Sequence, residues 1–168
     1  YPPMRAYTIC NVLVQALLFA LVVIIPAWRT GRMAYVDLGW PIGLFLIGVQ
    51  LPLFSAVDSP RSWIAASLYI FAGGRMGVMA LIGWRGGWLD QELPRYQYQR
   101  LRWQRRGWRE MPALLYEVAI HGLANMSVLA VPAILQAANP SPQLSPLEVA
   151  GYALWLAAFV FEFTADAQ

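Results

Sequence analysis

Five apolar segments, each about 20 residues long, divide this chain and limit what it can fold into more than any other feature. They run from about Thr8 to Ala27, Tyr35 to Phe54, Trp63 to Trp84, Pro112 to Leu135 and Leu147 to Ala165. At a rise of about 1.5 Å per residue, about 20 helical residues cross the roughly 30 Å hydrocarbon core of a bilayer. That core offers no water to the backbone, so a crossing segment must satisfy its own N–H and C=O groups, as a helix does. The expected fold is therefore all-α, a polytopic helical membrane protein with about five transmembrane helices. Charge usage agrees: 12% of the 168 residues are charged, against about 25% in soluble domains. Residues 1–168 read as one transmembrane helical domain, with no linker and no internal repeat.

Between the third and fourth segments lies the stretch Arg85 to Glu110, RGGWLDQELPRYQYQRLRWQRRGWRE. It holds seven of the twelve basic residues, and such a stretch must sit in water. Arg29 and Arg32 fall on the same side of the membrane as this loop, whereas the other side has only Arg5 and Arg61. The bias places the Arg-rich loop and Gln168 in the cytoplasm and the N-terminus outside. Asp90 or Gln91 is the expected start of a short interfacial helix, with Pro94 in its first turn and Gly107 as its stop. That helix would turn Tyr98, Leu101 and Trp108 towards lipid and several arginines towards water or phosphate, with anionic membrane lipids as one partner. Nucleic acid is a poor partner for an arginine cluster lodged between membrane spans. One cysteine, Cys10, and one histidine, His121, leave no Cys/His metal site.

Ionisable side chains within the spans carry the chemistry, because each costs roughly 2.5–3.5 kcal/mol at a helix centre. By helix rise, Arg75 and His121 lie about 13 Å inside the Arg-rich boundary and Glu117 about 8 Å inside it. Glu162 is about one turn from that boundary. Asp166 lies at it, and Asp37 opens the second span there. All six groups fall in one half of the membrane, which implies a polar crevice opening on the side of the arginine loop. Glu117, His121 and Asn125 share one helix face, and Arg75 is at a depth to pair with Glu117 or Glu162. Each residue also has a purely structural role open to it. Asp37 would cap its helix, Arg75 would lock the bundle through an ion pair, and His121 would make one interior hydrogen bond. Pro41 is placed to kink the second span, and Gly39 and Gly43 to admit a close neighbour.

Three stretches, VDLGWPIG (Val36 to Gly43), LPRYQYQRLRWQRRG (Leu93 to Gly107) and FEFTADAQ (Phe161 to Gln168), resemble in order and spacing bacterial membrane proteins allied to the steroid 5-alpha-reductases. The resemblance implies a membrane oxidoreductase that takes NADPH from the cytoplasmic side and reduces a carbon–carbon double bond conjugated to a carbonyl. Glu162 and Asp166 resemble the family's polar pair near the cofactor. Arg75 and Arg85 resemble its arginines within and just after the third span, and Arg95 and Tyr96 its following loop. Arginine suits the phosphates of such a cofactor because it binds them in bidentate fashion. Steroid-reducing members carry Gln-Glu-Leu-Pro in the second span, where this chain has Gln50, Leu51 and Pro52, and a Tyr where it has Ala72. The substrate implied is thus apolar and lipid-like without being specifically a steroid. The family's later Arg-His-Pro-Asn-Tyr stretch does not occur before Gln168, so the chain is expected to be an N-terminal portion. His121 is the candidate donor to the substrate carbonyl, with Glu117 setting its charge. Two other readings use the same features: a membrane methyltransferase taking S-adenosylmethionine in the same crevice, and a non-catalytic scaffold or transporter subunit.

Overall fold

The computed structural model describes residues 2–166, without the side chain of Asp166. Its elements are α1 (Pro2–Thr30), α2 (Val36–Phe54), α3 (Pro60–Arg85), α4 (Pro94–Arg105), α5 (Glu110–Met126), α6 (Val131–Ala138) and α7 (Pro146–Asp166). The stretches Pro2–Thr30, Met33–Phe54, Pro60–Arg85, Glu110–Ala138 and Pro146–Ala165 are each long and apolar enough to cross a membrane. This is an all-α polytopic membrane fold. The end of α1, the start of α2, the end of α3, all of α4, the start of α5 and the end of α7 share one face, which carries the arginine loop. The connections over residues 55–59 and 139–145 lie on the opposite face, where the Ala56 N–H donates to Ala137 O.

Proline explains where the helices depart from regularity. Pro26 has no N–H for the carbonyl four residues back, and the ladder widens to a π-helical turn over Phe19–Ile24 just before it. The fourth span, expected as one helix from Pro112 to Leu135, is broken between α5 and α6. Pro132 cannot donate to Val128, and Ser127 leaves the helical region (φ −122°, ψ −93°) while its hydroxyl donates to Leu123 O at 2.6 Å. Helix α4 starts at Pro94, later than expected. Leu93 before it is extended (φ −68°, ψ 148°), as the residue preceding proline prefers to be. Asp90 instead closes a 3₁₀ turn, Trp88–Asp90. Gly107 does stop the helix, at φ +68°, where a side chain would be strained.

Helices α2 and α3 form the most intimate pair. A Cβ on Gly73 would strike the backbone of Pro41 and Phe45, so glycine lets the two backbones touch. Helices α1, α2 and α5 meet around Asn11, Gln15 and Asn125, all with no exposed surface. Gln15 Nε2 donates to Gly43 O at 2.9 Å, and Asn125 Nδ2 donates to Trp40 O at 3.2 Å and Gln15 Oε1 at 3.3 Å. One apolar core, including Phe19, Val23, Trp103, Leu114 and Val118, lies towards the arginine face. A second, including Tyr7, Ile47, Leu51 and Ala133, lies towards the other. Among the described residues, helix α7 contributes to neither: none of its side chains is fully buried.

Candidate functional site

On the arginine face a cavity of about 1060 Å³ opens between α2, α3, the α3–α4 connection and the end of α7. Its wall is apolar, from Trp40 on α2, Met76 and Met79 on α3, Trp88 on the connection and Phe163 on α7. Its rim is charged, from Asp37, Arg75, Glu92 and Arg95. An apolar body with a few convergent polar groups is the usual make-up of a small-molecule site.

Asp37 sits in the first turn of α2, and its carboxylate is held from α4. The Tyr96 hydroxyl donates to Oδ1 at 2.7 Å, and Arg95 pairs with Oδ2. Tyr96 is buried, and burial together with the neighbouring carboxylate pushes its phenol well above the ordinary value, against the opposing pull of Arg95. Burial works against the charge of Arg95, but Asp37 more than offsets it, so the guanidinium is held above its usual value. The capping role expected of Asp37 belongs to Glu92. That carboxylate accepts from the Met33 N–H at 2.9 Å and the Ala34 N–H at 3.1 Å, and pairs with Arg100 at 2.5 Å. Arg100 also binds Glu110 and the Gly31 carbonyl, and Arg32 Nη1 donates to Leu89 O at 2.6 Å. Half of the arginine loop is thus tied to the turn between α1 and α2 and fixes the floor of the cavity.

Arg75 reaches across to α7, with Nη2 at 2.7 Å from Glu162 Oε1. Its guanidinium also lies over the rings of Phe159 and Phe163, at 5.5 and 5.8 Å from their centroids. Of the two acids at the end of α7, Glu162 therefore reaches the cavity through Arg75, while the Asp166 side chain lies outside the described residues. Arg85 is exposed at the end of α3 and is not part of the lining.

Glu117 and His121 occupy a different place. Gln99 Nε2 of α4 donates to Glu117 Oε1 at 2.7 Å, and His121 Nδ1 lies 2.7 Å from the backbone carbonyl of Glu117. The carboxylate faces the α4–α5 seam while the imidazole stays on its own helix, so no side-chain contact joins them. Neither lines the cavity. The six groups placed at one depth by helix rise therefore separate, because depth leaves the rotation of α5 about its axis open. The buried trio around Gly43 is legible only in part. Asn125 extends the stripe of Glu117 and His121, but its partners Asn11 and Gln15 show only as two polar residues four apart in an otherwise apolar span.

Residues 22–168 match the model of a family described as protein of unknown function, DUF1295. The chain belongs to the DUF1295 family. The match to DUF1295 takes in every residue that lines the cavity, along with Glu92, Tyr96, Glu162 and both ends of the α3–α7 contact. It leaves out Asn11 and Gln15, so the α1 part of the polar trio falls outside the DUF1295 match. No curated protein and no solved structure matches the chain.

Proposed function

We propose that this DUF1295 protein is a membrane-embedded NAD(P)H-dependent reductase acting on the conjugated double bond of a lipid-like substrate, with the arginine face in the cytoplasm. The observation that carries the reading is the cavity itself: apolar on its membrane side and charged at its water side. The residues also fit the cofactor chemically. Arg95 keeps 62% of its side chain exposed beside its Asp37 partner, leaving N–H groups open to a phosphate. Trp40 and Trp88 line the cavity and supply aromatic surface suited to contact with an aromatic ring. When bound, the reduced nicotinamide would supply the hydride.

The chain's own residues do the rest. Arg95, and Arg75 behind it, hold negative charge at the mouth. Asp37, Tyr96 and Glu92 fix the direction of that mouth through bonds to α4 and to the start of α2. Met76, Met79 and Phe163 keep water from the membrane side and receive the apolar body of the substrate. Entry from the bilayer is easiest between α3 and α7, where α7 buries none of its span and, among the described residues, gives only Phe163 to the wall. In this reading Glu117 serves the α4–α5 seam and His121 makes one hydrogen bond within α5.

Thermal unfolding of the full-length protein in detergent, with NADPH, NADH or S-adenosylmethionine added, tests the reading. Stabilisation by a nicotinamide cofactor, reduced in Arg95→Gln, is expected. Stabilisation by S-adenosylmethionine alone would make the protein a methyltransferase and end the reductase reading.

A further inference from the structure

The arginine loop divides into two halves by the company its side chains keep. Arg95 and Arg100 are neutralised by Asp37, Glu92 and Glu110. Arg105, Arg106 and Arg109 are exposed, and among the described residues no carboxylate pairs with them. Glu110, the nearest acid in sequence, is already engaged by Arg100. Unneutralised arginines at the start of a membrane span attract anions.

Beside them is an apolar niche of about 370 Å³, lined by Trp108, Arg109, Pro112, Ala113 and Tyr116. The rings of Trp108 and Tyr116 meet edge to face, 6.2 Å apart and at 86°. The Arg106 guanidinium lies over Trp108, 5.9 Å from the centroid. Tyr98 and Leu101 on α4 and Trp108 just after it are also exposed, by 62%, 50% and 45%. Trp and Tyr settle where hydrocarbon gives way to headgroups. The niche begins at the last water-facing residues before α5 and runs down its first turns, so it spans that boundary.

We propose that this niche is a binding site for one anionic phospholipid, with an acyl chain against Trp108 and Tyr116 and its headgroup phosphate between Arg106 and Arg109. Charge complementarity selects the occupant. The apolar groove alone would take any acyl chain, and the two arginines favour one carrying net negative charge. The site is separate from the cavity bounded by Asp37 and Arg75, shares no residue with it, and does not depend on the proposed reductase activity.

The test titrates the full chain in detergent with phosphatidylglycerol or phosphatidylcholine carrying brominated chains, which quench a tryptophan on contact. Phosphatidylglycerol is expected to quench at lower concentration than phosphatidylcholine, and the difference should vanish in Trp108→Phe. Replacing both arginines, Arg106→Gln with Arg109→Gln, is expected to weaken phosphatidylglycerol roughly thirtyfold, equal to about 2 kcal/mol for two surface arginines. Arg29→Gln, an exposed arginine on the same face, should leave that titration unchanged. Equal titration of the two lipids by the unaltered protein would overturn the proposal. So would competition by inorganic phosphate as effective as that by unbrominated phosphatidylglycerol, which would make the site one for a free anion.

Discussion

The Arg75 guanidinium on α3 meets the Glu162 carboxylate on α7 at 2.7 Å, with the Phe159 and Phe163 rings against its face. Four helical turns away, at the opposite face of the membrane, Arg61 meets Glu148 at 2.6 Å. The interval between the arginines on α3 equals that between the glutamates on α7. Since α7 buries none of its span, these two parallel-helix contacts help to set where it stands beside α3 and how wide the cavity opens beside Phe163.

Arg75 and Glu162 should therefore be coupled, though modestly. Glu162 is 53% exposed on its side chain, so the pair resembles a surface contact more than a buried one. A double-mutant cycle of Arg75→Gln and Glu162→Gln, read by unfolding in detergent, should give a coupling of about 1 kcal/mol. A coupling indistinguishable from zero would remove this pair as an anchor of α7.

The other anchor should matter more. The Arg61 side chain is 5% exposed, with Nη1 donating to Ser141 O at 2.9 Å and Nη2 bonded to Gln143 O as well as to Glu148. Removing the Glu148 charge leaves a buried cation with backbone carbonyls but no counter-charge, so Glu148→Gln should cost about 3 kcal/mol, more than Glu162→Gln. Unfolding of the two variants under identical conditions checks the order, and the reverse order would contradict it.

Gly43 should not accept a side chain. A Cβ there would run into Asn125 Nδ2 and Gln15 Oε1, both held in the buried trio. Gly43→Ala is expected to cost about 1–3 kcal/mol through overpacking, whereas Gly151→Ala, on open surface, should be close to neutral or slightly stabilising. A neutral Gly43→Ala would show that the trio is loosely held.

The Tyr96 phenol gives a pH signature. Its value in the folded protein is raised above the ordinary 10.0, by burial first and then by Asp37. The folded state thus holds this proton more tightly than the unfolded chain does. Its contribution to stability is complete below about pH 10 and is lost as pH rises from there towards the folded value. Tyr96→Phe should flatten the alkaline decline of unfolding stability. An unchanged decline would mean that other groups cause it.

How far the residues foretold this arrangement depends on the kind of constraint each supplies. Span lengths are dictated by bilayer thickness, so the five apolar stretches are legible from Thr8 onward, with ends off by a few residues. Pro132 carried a legible signal in its missing N–H, yet hydropathy ran unbroken across Ser127 and concealed the break. Arg75 and Glu162 share a depth, and depth was enough to make them candidate partners. Glu117 and His121 share a helix face, but which neighbour that face meets depends on how α5 packs against α4. Gln99 on α4 decides it, and no spacing rule within α5 reports on Gln99. Glu92 is the clearest omission: its role as a cap for Met33 and Ala34 joins residues far apart in the chain, and only the folded turn brings them together.

Cofactor binding in the cavity of Asp37, Arg75 and Arg95 tests the proposed function most directly. Trp40 and Trp88 line the cavity and would transfer excitation energy to a bound reduced nicotinamide. Titrating the full-length protein with NADPH under tryptophan excitation should produce saturable sensitised emission that NADP⁺ displaces. Arg95→Gln should weaken that binding about tenfold, in line with the loss of one charge-assisted contact. Absence of any saturable transfer in the folded protein, or transfer unchanged in Arg95→Gln and in Trp40→Phe with Trp88→Phe, would contradict it.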